Sequence, residues 1–125
     1  MADHRQLCDH MPHVSLILAS SSPRRRELLA AAGYQFEVRP ASSSAEDEPT
    51  EDEDAISLVA RFARQKALDV GASVGRGLIL GCDTVAECDG EILGKPVDAD
   101  HARRMLRALR GGQHRVFSGL CLWDK

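Results

Sequence analysis

Val14-Ser15-Leu16-Ile17-Leu18-Ala19 runs directly into Ser20-Ser21-Ser22-Pro23-Arg24-Arg25-Arg26, and then into Glu27-Leu28-Leu29-Ala30-Ala31-Ala32-Gly33. An apolar run of strand length gives way to serines, a proline and a block of arginines, which predicts a buried strand, a tight loop and a helix. Ser22 suits the N-cap, where a hydroxyl accepts a bond from an orphan helix N–H. Pro23 suits the first helical position, where its missing N–H costs nothing. Gly33 suits the residue just past the helix, where a left-handed conformation is needed. Such a junction is a natural anion site, because first-turn amides point outward and the helix dipole favours negative charge. Serine hydroxyls add donors, and the arginines add forked, permanently charged ones. The same stretch, taken alone, fits a plain amphipathic helix with solvated arginines equally well.

Downstream, Tyr34 to Val38 reads as a short second strand and Arg39 to Ser44 as a loop. The run Ala45 to Asp54 is strongly acidic and reads as a solvated loop, whose last acids favour the start of a helix. Ala55 to Val70 is that helix, with Ile56, Val59, Ala63, Ala67 and Val70 on its buried face and Phe62 beside it. Gly77 to Gly81 reads as a second apolar strand that ends at Cys82-Asp83-Thr84. Asp83 would then lie just beyond the carboxyl end of a buried strand, where sites of α/β proteins tend to lie. Asp89-Gly90, between Val85–Cys88 and Glu91–Leu93, is a strong hairpin signal. Asp98 suits the N-cap of a third helix with an apolar stripe of Ala99, Ala102, Met105, Leu106 and Leu109. His114 to Trp123 reads as a long strand. The fold class expected is therefore α/β, a mixed, twisted sheet with flanking helices built on strands at 14–19, 77–82 and 114–123.

The chain of 125 residues is 43% hydrophobic and 28% charged, which suits one globular domain. Aromatics are only 4%, so Leu, Val, Ile and Ala must build the core. The formal net charge of -3 argues against bulk nucleic-acid binding. The arginine face of the third helix, Arg103, Arg104, Arg107 and Arg110, reads as solvated or as an intersubunit contact. No apolar run is long enough for a membrane span, and the polar opening residues resemble no signal peptide. Cys8, Cys82, Cys88 and Cys121 form no CxxC pair, and a reducing cytoplasmic location is the simple reading. Residues 1–13 carry His4, Cys8, His10 and His13 in a spacing that matches no zinc finger, and read as a flexible N-terminal extension.

Three separated blocks resemble, in order, the Maf family of nucleoside triphosphate pyrophosphatases. They are Ser20 to Leu29, then Cys82-Asp83-Thr84-Val85 with Asp89 to Pro96, and then Ala102 to Gly119. Arg64-Gln65-Lys66-Ala67 resembles the family's short lysine-alanine motif, so the likeness spans about residues 14–122, within a partial domain of residues 14–125. It implies a fold like that of Maf and inosine-triphosphatase proteins. It also implies that the fold continues past Lys125 with further strands, helices and a glutamine near the base, leaving the domain C-terminally incomplete.

The resemblance further implies hydrolysis of a nucleoside triphosphate to the monophosphate and pyrophosphate with a divalent metal, Mg2+ or Mn2+. By position, Asp83 corresponds to the catalytic acid that takes a proton, and is also a candidate metal ligand. Ser20, Arg24, Arg25, Lys66 and Lys95 correspond to triphosphate-binding residues. Arg24 after Pro23 and Thr84 after Asp83 look like the branch that prefers dTTP and UTP and acts on modified relatives of them. The 7-methyl-GTP branch has a bulky residue and a glutamine at these two positions. The family's acid upstream of the second helix falls in Glu46 to Glu48, with Glu48 the choice for a metal ligand. Family members are often dimers, and an unfinished sheet edge favours a homodimer. The rival readings are a purine-directed house-cleaning pyrophosphatase and a nucleotide-binding regulatory protein without turnover.

Overall fold

The structure, a computed structural model, describes residues 15–42, 53–94 and 96–125. Its elements follow as β1 (Leu16–Ala19), α1 (Pro23–Ala31), β2 (Glu37–Val38), α2 (Ala55–Gly71), β3 (Leu78–Cys88), β4 (Glu91–Leu93), α3 (Ala99–Leu109) and β5 (His114–Asp124). The five strands form one mixed sheet flanked by these helices, so the expected α/β architecture is present. The expected extension at residues 1–13 lies outside the described residues, as do Glu46 to Glu48 and Lys95.

β1 lies between β2 and β3 and is parallel to both. β3 is antiparallel to β4 and to β5. Because β5 pairs with β3 along its whole length, from Leu78↔Asp124 to Cys88↔His114, β1 and β4 must share the opposite edge of β3. Sequence reading broke this strand after Gly81. The 11-residue β3 instead runs unbroken to Cys88, because β5 holds the middle segment extended. Asp83 is therefore not beyond the end of its own strand. It lies beyond the end of β1, whose last residue, Ala19, sits opposite Gly81.

The helix starts follow from side-chain caps. Ser22 Oγ accepts from the Arg25 N–H at 3.4 Å, with Pro23 at the first helical position, and Gly33 follows the helix at φ +90°. Asp54 Oδ1 accepts from the Ser57 N–H at 2.7 Å, and Asp98 Oδ1 from the His101 N–H at 2.7 Å. The Asp89-Gly90 turn takes the left-handed backbone that a two-residue hairpin needs, with φ of 51° and 80°.

α2 covers one face of the sheet. Residues of β3 and β5 alternate sides, so Ile79, Val85, Phe117, Cys121 and Trp123 meet this helix. One cluster joins Ile17, Ala19 and Ile79 to Ala67 and Val70, and another joins Val85 to Leu58, Val59 and Phe62. Two glycines let the helix come close: a Cβ on Gly81 would strike the Ala63 carbonyl, and one on Gly119 the Val59 carbonyl. The expected buried face of α2 needs one correction. Ile56 is 63% exposed, and Leu58, at 1%, takes its place in the core. The N-cap fixes where the first turn begins, and that phase points position 58 at the sheet. The second strand is also shorter than expected, because β1 offers pairing only to Glu37 and Val38.

Candidate active site

The pairing scheme leaves a notch. On the edge of β3 that β1 and β4 share, β1 reaches only to Gly81 and β4 begins only at Ala86. Among the described residues, 82–85 therefore have no strand neighbour on that side. A strand edge left open exposes obligatory hydrogen-bonding groups. Here two cations meet them: Arg25 Nη1 donates to the Cys82 carbonyl at 3.1 Å and Lys66 Nζ donates to it at 3.3 Å. Arg25 comes from the first turn of α1 and Lys66 from the later part of α2, so both helices converge on one carbonyl.

Asp83 is 7% exposed, and its Oδ1 accepts from Lys66 Nζ at 2.9 Å. Its second oxygen, Oδ2, is buried and has no hydrogen-bond partner among the described residues. Most buried polar atoms have a partner, so an orphaned carboxylate oxygen in a cleft asks for an external donor or a cation. The cleft has a volume of about 560 Å³. It is lined by the serines 20–22 and by Arg25, Ser42, Lys66, Asp83 and Thr84, among others. A second cleft of about 580 Å³ lies at the far end of β3, near Asp89 and His114, and contains none of the predicted site residues.

Thr84 is the neighbour of Asp83 and, by strand alternation, points to the other face of the sheet. There its Oγ1 accepts from Arg25 Nη2 at 3.1 Å and lies 2.9 Å from Ser118 Oγ on β5. Arg25 Nη1 also donates to Ser20 Oγ at 3.3 Å, and Ser20 Oγ accepts from the Ser22 N–H at 3.1 Å. The guanidinium thus braces the end of β1 against the middle of β3 while it lines the cleft. On the outer wall, Asp69 of α2 holds Ser42 twice, accepting from its N–H at 2.8 Å and its hydroxyl at 2.9 Å.

Five of the sequence-predicted site residues, Ser20, Arg25, Lys66, Asp83 and Thr84, line one cleft. Arg24 is exposed on α1 and is not among the lining residues. Glu48 and Lys95 lie outside the described residues. Sequence reading missed Ser42, Asp69 and Ser118. Ser118 had a usable signal in the period-two pattern of β5, whereas nothing in the sequence pairs Ser42 with Asp69. Among the described residues no group of three or more His, Cys, Asp or Glu could hold a metal by itself. Burial pushes the Cys82 thiol above the usual range, against the opposing pull of Arg25 and Lys66, and keeps it protonated at neutral pH.

Known proteins resemble this chain over most of its length. The family model described as Maf-like protein matches residues 15–125. A protein of Rhodopirellula baltica named dTTP/UTP pyrophosphatase is 58% identical over 111 residues, covering 89% of this chain and 49% of that protein. Proteins of the same name from Anaeromyxobacter dehalogenans and Citrifermentans bemidjiense are 49% and 44% identical, covering 86% and 92% of this chain and 52% and 58% of theirs. The chain spans about half the length of the curated relatives it matches.

Proposed function

The chain belongs to the Maf family, and from that membership we propose that it hydrolyses nucleoside triphosphates between the α- and β-phosphates, with dTTP and UTP preferred. The observation that carries this reading is the Asp83–Lys66 pair in the strand notch. Its unpartnered carboxylate oxygen shares a cleft with the serine-rich N-terminus of α1. The names of the relatives support the same substrates.

The triphosphate lies with its oxygens on the first-turn amides of α1, the serine hydroxyls and the ammonium of Lys66. Asp83 keeps Oδ1 on Lys66 and offers Oδ2 to a water. The water oxygen attacks the α-phosphorus, its proton passes to Asp83, and the bond to the bridging oxygen breaks. Pyrophosphate leaves with that electron pair, and fixed cations stabilise its charge. Arg25 holds the end of β1 and the middle of β3 at the spacing this requires. Arg24 and Thr84 set the base preference, and modified relatives of dTTP and UTP are further substrates.

The donor set fits a divalent cation, Mg2+ or Mn2+. Asp83 Oδ2 lacks a partner, and such ions bind through one or two carboxylates plus substrate phosphates. As the alternative to taking the proton itself, Asp83 would hold the ion with the substrate, and Glu48 is the proposed second carboxylate. When bound, the ion neutralises phosphate charge and lowers the pKa of coordinated water. Lys95 is proposed as a further triphosphate ligand. We also assign the chain a cytoplasmic location and a homodimeric state, without nucleic-acid binding. Among the described residues Cys82, Cys88 and Cys121 are free thiols, and no helix is long and apolar enough to cross a membrane.

The deciding experiment measures pyrophosphate release from dTTP, UTP, CTP, ITP and 7-methyl-GTP with Mg2+ or Mn2+. Preference for dTTP and UTP is expected. Preference for ITP would transfer the chain to the purine-directed class. Calorimetric binding of UTP without product over hours would make it a nucleotide-binding protein.

A further inference from the structure

α2 does two things one turn apart. Lys66 grips Asp83, and Asp69, three residues on and so on the same side of the helix, grips Ser42. Both grips end on residues that line the same cleft. The Asp69 carboxylate takes both donors of Ser42, its N–H at 2.8 Å into Oδ2 and its hydroxyl at 2.9 Å into Oδ1. Bonds to an ionised acceptor are roughly twice as strong as neutral ones, and two of them from one residue also fix its orientation.

The segment that Asp69 holds is also tied down before Ser42. β2 ends at Val38, the Arg39 N–H donates to the Leu18 carbonyl at 3.0 Å, and Ala41 packs on the core cluster around Ile17 and Val70. Ala41 and Ser42 form the wall of the cleft contributed by this segment. An acid beside an anion-binding cleft weakens anion binding through its charge unless donors engage that charge. The Ser42 N–H and hydroxyl both point at the Asp69 carboxylate.

We propose that Asp69 is a positioning residue of the triphosphate cleft, holding the Ala41–Ser42 wall at a fixed distance from the Lys66–Asp83 pair. The proposal rests on the pyrophosphatase reading given above. It assigns Asp69 no contact with substrate and no part in proton transfer. Its effect falls on how well the cleft is formed before the triphosphate arrives, and therefore on KM rather than on the chemical step.

Two variants test it. In Asp69→Ala both bonds to Ser42 are lost, and KM for UTP rises about five- to tenfold while kcat changes less than about twofold. In Asp69→Asn the shape is kept: the amide oxygen accepts from the Ser42 N–H and the amide nitrogen donates to the Ser42 hydroxyl. KM therefore stays near that of the unsubstituted chain. Amide hydrogen exchange at Ser42, read on the same proteins, is slow in the unsubstituted chain and in Asp69→Asn and fast in Asp69→Ala. This exchange measurement does not depend on turnover.

Fast exchange in Asp69→Ala with an unchanged KM would overturn the proposal and leave the pyrophosphatase reading intact. A KM in Asp69→Asn that departs as far as in Asp69→Ala would also overturn it, since charge and not shape would then be at work. Absence of both turnover and UTP binding in the unsubstituted chain would overturn the functional reading, and this proposal with it.

Discussion

α2 and α3 carry the same marks in the sequence and meet different fates. Each begins with an aspartate cap that binds the N–H three residues on, and each has apolar residues at helical spacing. α2 buries Leu58, Val59, Phe62, Ala63, Ala67 and Val70 against the sheet, whereas α3 buries no residue at all. Leu106, in the middle of the α3 stripe, is 66% exposed. Periodicity therefore specifies that a helix has a side to hide, and only the surroundings decide what hides it. The surroundings of α2 are specific: Gly81 and Gly119 carry no side chain where its backbone passes. Among the described residues no glycine lets the α3 backbone come as close to the sheet. The cleft follows the same division: α2 contributes Lys66 to its lining and holds the lining residue Ser42 through Asp69, while no α3 residue is among those that line it.

The largest effect that would sharpen this contrast is at Asp83, the residue that α2 holds through Lys66. Asp83→Asn keeps the shape and removes the proton acceptor. Turnover of UTP is expected to fall by about two to four orders of magnitude, which is about 3–5 kcal/mol of barrier. Lys66 keeps its bond to the Cys82 carbonyl, and the α1 donors remain, so KM should move far less. A folded Asp83→Asn protein with near-normal turnover would refute the assignment. Arg107→Ala on α3 is the control and should leave both constants unchanged.

Next come two changes that probe packing. Leu58→Ala deletes a fully buried side chain and should cost about 2–5 kcal/mol in chemical denaturation. Gly119→Ala acts oppositely, by inserting a methyl where only the α2 backbone is available to yield, and should cost about 1–3 kcal/mol. If Gly119→Ala is neutral, α2 is free to ride away from the sheet, and the close approach is incidental.

The cap of α2 gives a smaller, pH-dependent effect. The Ser57 N–H holds the Asp54 carboxyl below its ordinary value of 3.8. A group with a lowered folded pKa contributes stability above its unfolded pKa and loses it as pH falls through the folded value. Denaturation midpoints of the unsubstituted chain should therefore drop relative to Asp54→Asn between about pH 5 and the folded pKa, and then converge below it. Parallel pH profiles for the two proteins would contradict this.

Local signals made much of this legible. Ser22-Pro23 and Gly33 marked the ends of α1, Asp-Gly marked the hairpin, and the apolar runs marked β1, β3 and β5. Asp83 was singled out from a partly wrong strand boundary. Its strand was read as ending before it, although the strand that ends there is β1. The sequence carries no local sign of that, because the length of a strand depends on partners remote in the chain. The same holds for Lys66, which alone reads as a solvated helix cation and is paired only because β3 passes beneath it. Arg25 was read as a phosphate ligand from its charge, and its bonds to Ser20, the Cys82 carbonyl and Thr84 show a brace. Bonds that span 57 or 59 positions leave no trace in composition or periodicity.

The smallest effect is the one that can break the comparison outright. Leu106→Ser replaces the most apolar residue at the centre of the α3 stripe. If that side chain is solvated, as its exposure indicates, the substitution removes no buried area and should change stability by less than about 0.5 kcal/mol. The serine also lowers helix propensity slightly, by a few tenths of a kcal/mol relative to leucine, so a small loss is the expected sign. A loss of about 2 kcal/mol or more would mean that α3 is covered in solution, by a second copy of the chain or another surface. Sedimentation at several concentrations separates these. A stability loss that grows with protein concentration, with a dimer that Leu106→Ser dissolves, would give α3 a partner and make its stripe as purposeful as that of α2. A monomer unmoved by the substitution would leave the two helices as different as they look.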